Sequence, residues 1–410
     1  MTADRPVLLV LSASHRIIEK ATGLGLDVVH IEAPSIAEPE LEPLCLRTVR
    51  ADLLDIPAVV ELAAELHREF GFAGVVSNHE PACPAAEAAA LDLGLLAAGK
   101  GVTALLRDKA RTREALAVGG PPGVCWSRVR SASDIRDVAR AAGYPVMVKP
   151  ADGSASLGVI KVQGPDEVDA AWQHAQRTLR NEHRYHDVLP VTDYLVEPFV
   201  EGDEYSVETF SHEGRHEVCA IVRKITNAAF VEIGHIVPAG LDEGLTAAVT
   251  STVRLLLDRV GLREGPAHTE VIVRDGEVHL LESHARTGGD GIPALVRLVS
   301  GRDLELDMIA HFAGLPLPRP ADPVAAAAAK AYLATGTAGR VRAVTGLETA
   351  LAQPGVHTAD LWIAPGDTVR PATASWDRLG EFVAVGPTAQ RAWAAAESAV
   401  GAIAIDMEAE

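Results

Sequence analysis

The sequence is poor in cysteine, lysine and aromatic residues, and it holds no long uninterrupted apolar run. Cysteine occurs four times (Cys45, Cys83, Cys125, Cys219), with no Cys-x-x-Cys pair and no His/Cys cluster. That scatter points away from a disulfide framework and toward buried thiols in a reducing compartment. No segment approaches transmembrane length, and Met1-Thr-Ala-Asp-Arg-Pro lacks a signal-peptide pattern. The expectation is a cytoplasmic chain with no membrane partner. Positive charge is also short. A net charge of −19 disfavours nucleic-acid backbones as partners. A bound nucleotide would then have to be met by local positive charge and a cation. Lysine is scarcest, at seven against thirty arginines. A lysine standing where arginine would serve solubility is therefore informative, and Lys109 and Lys149 stand out. A dinucleotide fingerprint is missing too: Gly23-Leu-Gly25 lacks the third glycine and precedes a strand, which disfavours a dehydrogenase.

What is present is an α/β pattern. At 410 residues and 48% apolar content, the chain can build two to four domains or lobes. Strands expected at 7–11, 27–31, 46–49 and 72–76 alternate with helices near 15–21, 57–70 and 81–91, the pattern of a parallel sheet flanked by helices. One helical stretch at 103–117 contains Arg107-Asp108-Lys109, and the glycine–proline run 119–123 marks a boundary. Ser133 is the expected cap of a helix to 142. A strand ending in Lys149, a small-residue loop over 151–158 and a returning strand at 159–162 form a hairpin flap. Its backbone N–H groups can fold over phosphates, and the absence of a following Gly-Lys-Ser/Thr rules out a Walker A loop. A helix over 166–179 leads to a polar, histidine-rich connector at 180–189. The strand at 193–200 is interrupted by Pro198, which cannot donate to a ladder, where the chain would pass from one lobe to another. Such a crossing can present backbone groups to an adenine edge, with a carboxylate reaching the ribose. Further strands are expected at 218–226 and 230–238, with helices at 242–260, 292–299 and 303–313. A proline-rich linker at 316–323 precedes a small α/β cap.

The chemistry concentrates in residues 268–291, two β-branched apolar strands joined at Asp275-Gly276. Glu270 and Glu282 sit among apolar neighbours, and two close buried carboxylates need cations. Mg²⁺ with phosphates would satisfy them, because it takes oxygen ligands and is usually held by one or two carboxylates. Arg286 and Gly288-Gly289 follow, adding fixed positive charge and a closely approachable backbone. A two-residue turn would pair Glu270 with Leu281 and turn Glu282 to the other face. An extra residue, expected as a left-handed bulge at Gly276, or else an irregular strand end, is needed to set the two acids opposite one another.

Taken in order, these motifs resemble the ATP-grasp superfamily of carboxylate–amine ligases, most closely its L-amino-acid ligase (dipeptide synthetase) branch. The resemblance implies an ATP-grasp fold of α+β lobes. Its expected parts are a Rossmann-like pre-ATP-grasp domain over 1–100, a helical linker over 101–143, a small ATP-binding lobe over 144–204, a large lobe with the metal site over 205–315, and a C-terminal α/β cap over 316–410. It implies that Lys109, Lys149, Ser154 and Ser156 contact nucleotide phosphates. Glu197, Pro198, Phe199 and Val200 would form the adenine hinge, and Glu204 would take the ribose. Glu270 and Glu282 would hold two Mg²⁺ ions, with Mn²⁺ able to substitute. Catalytic roles would fall to Arg286, Lys149 and His235, the last orienting a carboxylate or accepting a proton from the amine. Substrate contacts would come from Glu232, Gly234, His235, His284, Gly288, Gly289 and Asp290, with Asp290 alternatively capping the helix that follows. His284 replaces the asparagine common in the superfamily, and imidazole is a poor Mg²⁺ ligand. The implied reaction joins a carboxylate, expected to be an amino acid's, to an amine through an acyl phosphate, releasing ADP and phosphate. A bicarbonate-using carboxylase and an inactive nucleotide-binding protein are the alternatives. A homodimer is among the expectations, and the substrates are not named by the sequence.

Overall fold

A computed structural model describes residues 5–117, 125–154, 156–180 and 189–408. The glycine–proline boundary at 119–123 and most of the histidine-rich connector lie outside the described residues. The amino-terminal sheet has four parallel strands in the spatial order Arg47–Arg50, Asp27–Glu32, Val7–Leu11, Phe72–Val76. Its central strands are apolar on both faces, as a parallel sheet covered on both sides requires. Leu9, Leu11, Val29 and Ile31 pack on Val59, Ala63 and Leu66 of helix Ile56–Phe70. On the other face Leu8, Val10 and Val28 meet Ile17 and Ile18, together with Met308 and Ile309 from the late helix Leu304–Phe312. Gly74 permits this closure, since a Cβ there would lie 2.2 Å from the Phe312 carbonyl oxygen.

The small sheet is antiparallel, in the order Ser127–Arg128, Tyr194–Pro198, Val146–Pro150, Ile160–Val162. Helices Ala132–Ala142 and Val168–Leu179 cover one face. The first is capped by Ser131 rather than by the expected Ser133. Asp134 explains the difference, accepting from the Ser131 N–H at 2.8 Å and hydroxyl at 3.1 Å.

The large sheet runs Glu277–His284, Gly265–Arg274, Asp203–His212, Arg215–Thr226, Glu232–Val237, Ala327–Leu333, Gly380–Gly386, Val356–Leu361. Pro198 ends the small-sheet strand, and the chain enters the large sheet at Asp203. Tyr205, Val207 and Val271 bury one face of this sheet under helix Glu243–Val260. The opposite face carries the ionisable residues, then Val222 and Val237 packed on helix Ile292–Ser300. After residue 316 the chain adds three strands to this same sheet. Thr368–Val369, Gly339–Thr345 and Ala404–Glu408 form a separate three-stranded sheet. Among the described residues, no helix is long and apolar enough to cross a membrane.

Candidate active site

The helical stretch expected at 103–117 is two helices, Val102–Arg107 and Lys109–Ala117. The break is Asp108, whose carboxylate accepts from the N–H groups of Ala110 (2.9 Å) and Arg111 (3.1 Å). This cap places Lys109 at the start of the second helix, with its N–H on the Ala151 carbonyl at 2.8 Å. The side chain then runs inward to the Gly153 carbonyl and to Glu282, each at 2.7 Å.

Strands Gly265–Arg274 and Glu277–His284 close on the two-residue turn Asp275-Gly276, both with positive φ. The extra residue is therefore not at the turn. It is Leu281: Val271 pairs with Leu280, Glu270 pairs with Glu282, and Leu281 is left without a partner residue. The bulge sets both carboxylates on one face, and the Leu281 carbonyl accepts from Arg113 at 3.1 Å. A two-residue turn keeps the hairpin tight, so the irregularity moves up the strand to where the acids need it.

Neighbouring strands complete the face. Glu204 lies opposite Ile272 and Lys224, and His235 opposite Lys224. Lys224, which the sequence reading did not single out, sits at 2.5, 3.1 and 2.7 Å from Glu204, Glu232 and Glu270. These three carboxylates are close enough together to hold a metal ion, and here one ammonium lies among them, while burial raises the pKa of Glu204. Burial opposes the Lys224 charge, but the three acids raise its pKa well above the usual value. Burial likewise opposes ionisation of Glu282, yet Lys109 and His284 hold it well below the carboxylate range, and Lys224 and His268 bring Glu270 to about 2. Beneath Glu270, His268 bonds Glu208 at 2.7 Å, and against burial that carboxylate raises it to about 10. Gly288 rests on this pair; a Cβ there would lie 2.9 Å from a Glu208 oxygen.

Across the cleft, Lys149 and Arg113 share Glu197. The Lys149 ammonium is 2.6 Å from Oε1, and Arg113 bonds both oxygens at 2.6 and 3.0 Å. Burial would raise the Glu197 carboxyl, but the two cations bring it to about 2, whereas burial and the adjacent Arg113 lower the Lys149 pKa. Phe199 gives its N–H to the Pro145 carbonyl at 3.0 Å, and its ring lies under Lys161. Ser156 donates from its hydroxyl to the Phe230 carbonyl at 2.9 Å, latching the flap to the large sheet's side. The cleft between the sheets encloses about 1030 Å³, part of it open to solvent. Lys109, Lys149, Ser154, Ser156, residues 197–200, Glu204, Glu232, Glu270 and Glu282 all line it.

The remaining predicted residues lie elsewhere. Arg286 pairs with Glu80 at 3.1 Å, and Asn78 accepts from the Thr287 N–H and hydroxyl. Asn78 and Glu80 follow the last parallel strand, the usual place for ligand contacts in α/β sheets. His284 lies between Glu282 (3.0 Å) and Glu80 (3.6 Å). Gly234, expected in the substrate pocket, instead faces Trp393, whose ring a Cβ would meet at 2.3 Å. Nor does Asp290 cap the following helix, because Gly291 holds that position. Its carboxylate is gripped by Arg378 at 2.6 and 2.7 Å and by His235 at 3.2 Å. Gly289 has open space beside its Cα.

Comparison with known proteins identifies two domains along the chain. Residues 142–294 match the model of an ATP-grasp domain, and 331–408 match L-amino acid ligase C-terminal domain 2. An alanine–anticapsin ligase of Bacillus subtilis is 25% identical over 259 residues, 60% of this chain and 55% of that protein. The chain thus spans about half the length of the curated relatives of this kind. A D-alanine–D-alanine ligase B of Pseudomonas syringae is 27% identical over 202 residues, 46% of this chain and 58% of that one. The crystal structure of an L-amino acid ligase from Bacillus licheniformis superposes with a TM-score of 0.82 at 23% identity, covering 99% of this chain and all of that one. The chain thus carries an ATP-grasp domain over 142–294 and an L-amino acid ligase C-terminal domain 2 over 331–408, on a fold shared with that L-amino acid ligase.

Proposed function

We propose that this chain is an ATP-dependent ligase that joins the carboxylate of an amino acid to an amine and releases ADP and phosphate. The observation that carries the reading is the opposed pair Glu270 and Glu282, set by the Leu281 bulge at the floor of a cleft walled by buried lysines. The residues fit Mg²⁺: two adjacent ionised carboxylates supply hard oxygen ligands, and phosphate oxygens could fill the remaining positions. When bound, the ion neutralises charge on the phosphates and orients the transfer.

The chain's own groups do the rest. Lys109 and Lys149 leave their carboxylate partners to meet the phosphates, so each acid is freed as a negative charge arrives. The flap covers the phosphates and keeps water from the acyl phosphate formed when the substrate carboxylate attacks the terminal phosphorus. The amine then attacks the carbonyl carbon, phosphate departs, and the amine's proton passes to a base, a role we assign to His235. Arg286 adds positive charge beside the acyl phosphate. The test is a matrix of amino acids in pairs, scored by phosphate release and product mass. Amide products support the reading. Turnover that needs bicarbonate and no amino acid, or no turnover with any amine, overturns it.

A further inference from the structure

The two ends of the large sheet's long strands carry different chemistry. Glu270 faces the cleft, but six residues earlier, roughly 20 Å along the strand, Glu264 stands beside two histidines. None of these three residues lines the cleft. His212 ends strand Asp203–His212, Glu264 precedes strand Gly265–Arg274, and His311 sits in the last turn of helix Leu304–Phe312. One oxygen of Glu264, Oε2, lies 3.3 Å from His212 Nδ1 and 3.0 Å from His311 Nε2. All three ligand atoms fall within 4.8 Å of one another. The other carboxylate oxygen accepts the Glu213 N–H at 3.0 Å, which turns Oε2 toward the imidazoles. The His311 ring is itself braced edge-on by Phe210.

We propose that His212, Glu264 and His311 bind a divalent transition-metal ion of the zinc class. Bonds of about 2.0–2.1 Å from a tetrahedral centre put ligand atoms about 3.3 Å apart, close to the two spacings seen here. Each imidazole becomes a ligand by moving its proton to the other ring nitrogen. Two nitrogens and one carboxylate favour Zn²⁺ over Mg²⁺, which prefers an all-oxygen shell, so this site and the cleft select different ions. Water fills the open side, where His212 is exposed. The ion would bridge helix Leu304–Phe312 to two strands of the large sheet, and that helix also closes the amino-terminal sheet. The bond set joins three segments that together span residues 212 to 311.

The test is calorimetric titration of Zn²⁺ into the full chain in excess Mg²⁺, with melting curves alongside. The wild type should bind one more equivalent of Zn²⁺ than His212→Ala and melt at higher temperature when it is present. At this site His212→Ala should bind at least about tenfold more weakly. Because His212 is exposed, this variant keeps the fold, and its ADP release under Mg²⁺ should match the wild type. His311→Gln is the second variant, and Co²⁺ in place of Zn²⁺ should give intense visible bands of a four-coordinate site in the wild type alone. Unchanged Zn²⁺ uptake in both variants, or a wild-type melt unmoved by Zn²⁺, would overturn the proposal.

Discussion

At the scale of single residues, the cleft is lined by buried charges paired with one another. Lysine is scarce in the sequence, and its burial reaches further than the two positions singled out there. Lys109, Lys149, Lys224 and Lys330 are all buried, four of the seven lysines in the chain. Lys224 and Lys330 escaped notice because their acids, Glu204, Glu232, Glu270 and Glu381, are brought beside them only by strand pairing. Arg113 is brought to Glu197 by the packing of helix Lys109–Ala117 against the small sheet, which its sequence does not show. Removing Lys224 leaves Glu204 and Glu232 without their cation and Glu270 with His268 alone, so Lys224→Ala should cost about 3–5 kcal/mol in denaturant unfolding. Glu282→Gln keeps a partner for Lys109 and should preserve the melting temperature while abolishing ADP release, measured by a coupled assay. Glu197 gives a pH signature. Its folded-state pKa, about 2, is below the ordinary 4.5. Its stabilising contribution is therefore full above the ordinary value and lost as pH falls through about 2. The loss is on the order of 3 kcal/mol. Glu197→Gln should flatten that acid limb in a series of unfolding curves.

At the scale of elements, strands were more legible than their irregularities. The parallel alternation, the flap hairpin and the Glu270/Glu282 hairpin follow from apolar periodicity and turn residues. The Leu281 bulge does not, since nothing in Val-His-Leu-Leu-Glu marks which leucine drops out of pairing. The pairing requirement was readable, and its place was not. The break at Asp108 was similarly masked, because the residues on either side are ordinary helix formers and only the cap geometry separates the two helices. Gly234 shows the converse error. The family resemblance implied a substrate contact there, while the strand turns its Cα toward helix Ala389–Gly401. Gly234→Ala should thus act on packing against Trp393, lowering stability by about 1–3 kcal/mol. ATP affinity by calorimetry should stay near the wild-type value.

At the scale of the molecule, three strands from the last ninety residues extend the large sheet. Strand Ala327–Leu333 pairs directly with Glu232–Val237, and Ala328 and Val383 share a core with Val222 and Leu295. Arg378 reaches from that region to grip Asp290. Truncation after residue 316 would bare an edge strand and an apolar face. The shortened chain should be found in the insoluble fraction on expression, or should lack a cooperative melt. The alanine-rich run 325–329 reads in sequence as core or helix filler, and the small side chains of Ala327, Ala328 and Ala329 let the strand pack between two helices.

Helix Leu304–Phe312 also sets a timetable for synthesis. The strands it covers, Val7–Leu11 and Phe72–Val76, leave the ribosome more than two hundred residues before the helix does. At common elongation rates that interval is on the order of ten to fifty seconds. Through it, Leu8 and Val10 wait beside an empty seat, and the nascent chain depends on whatever else in the cell can shield them.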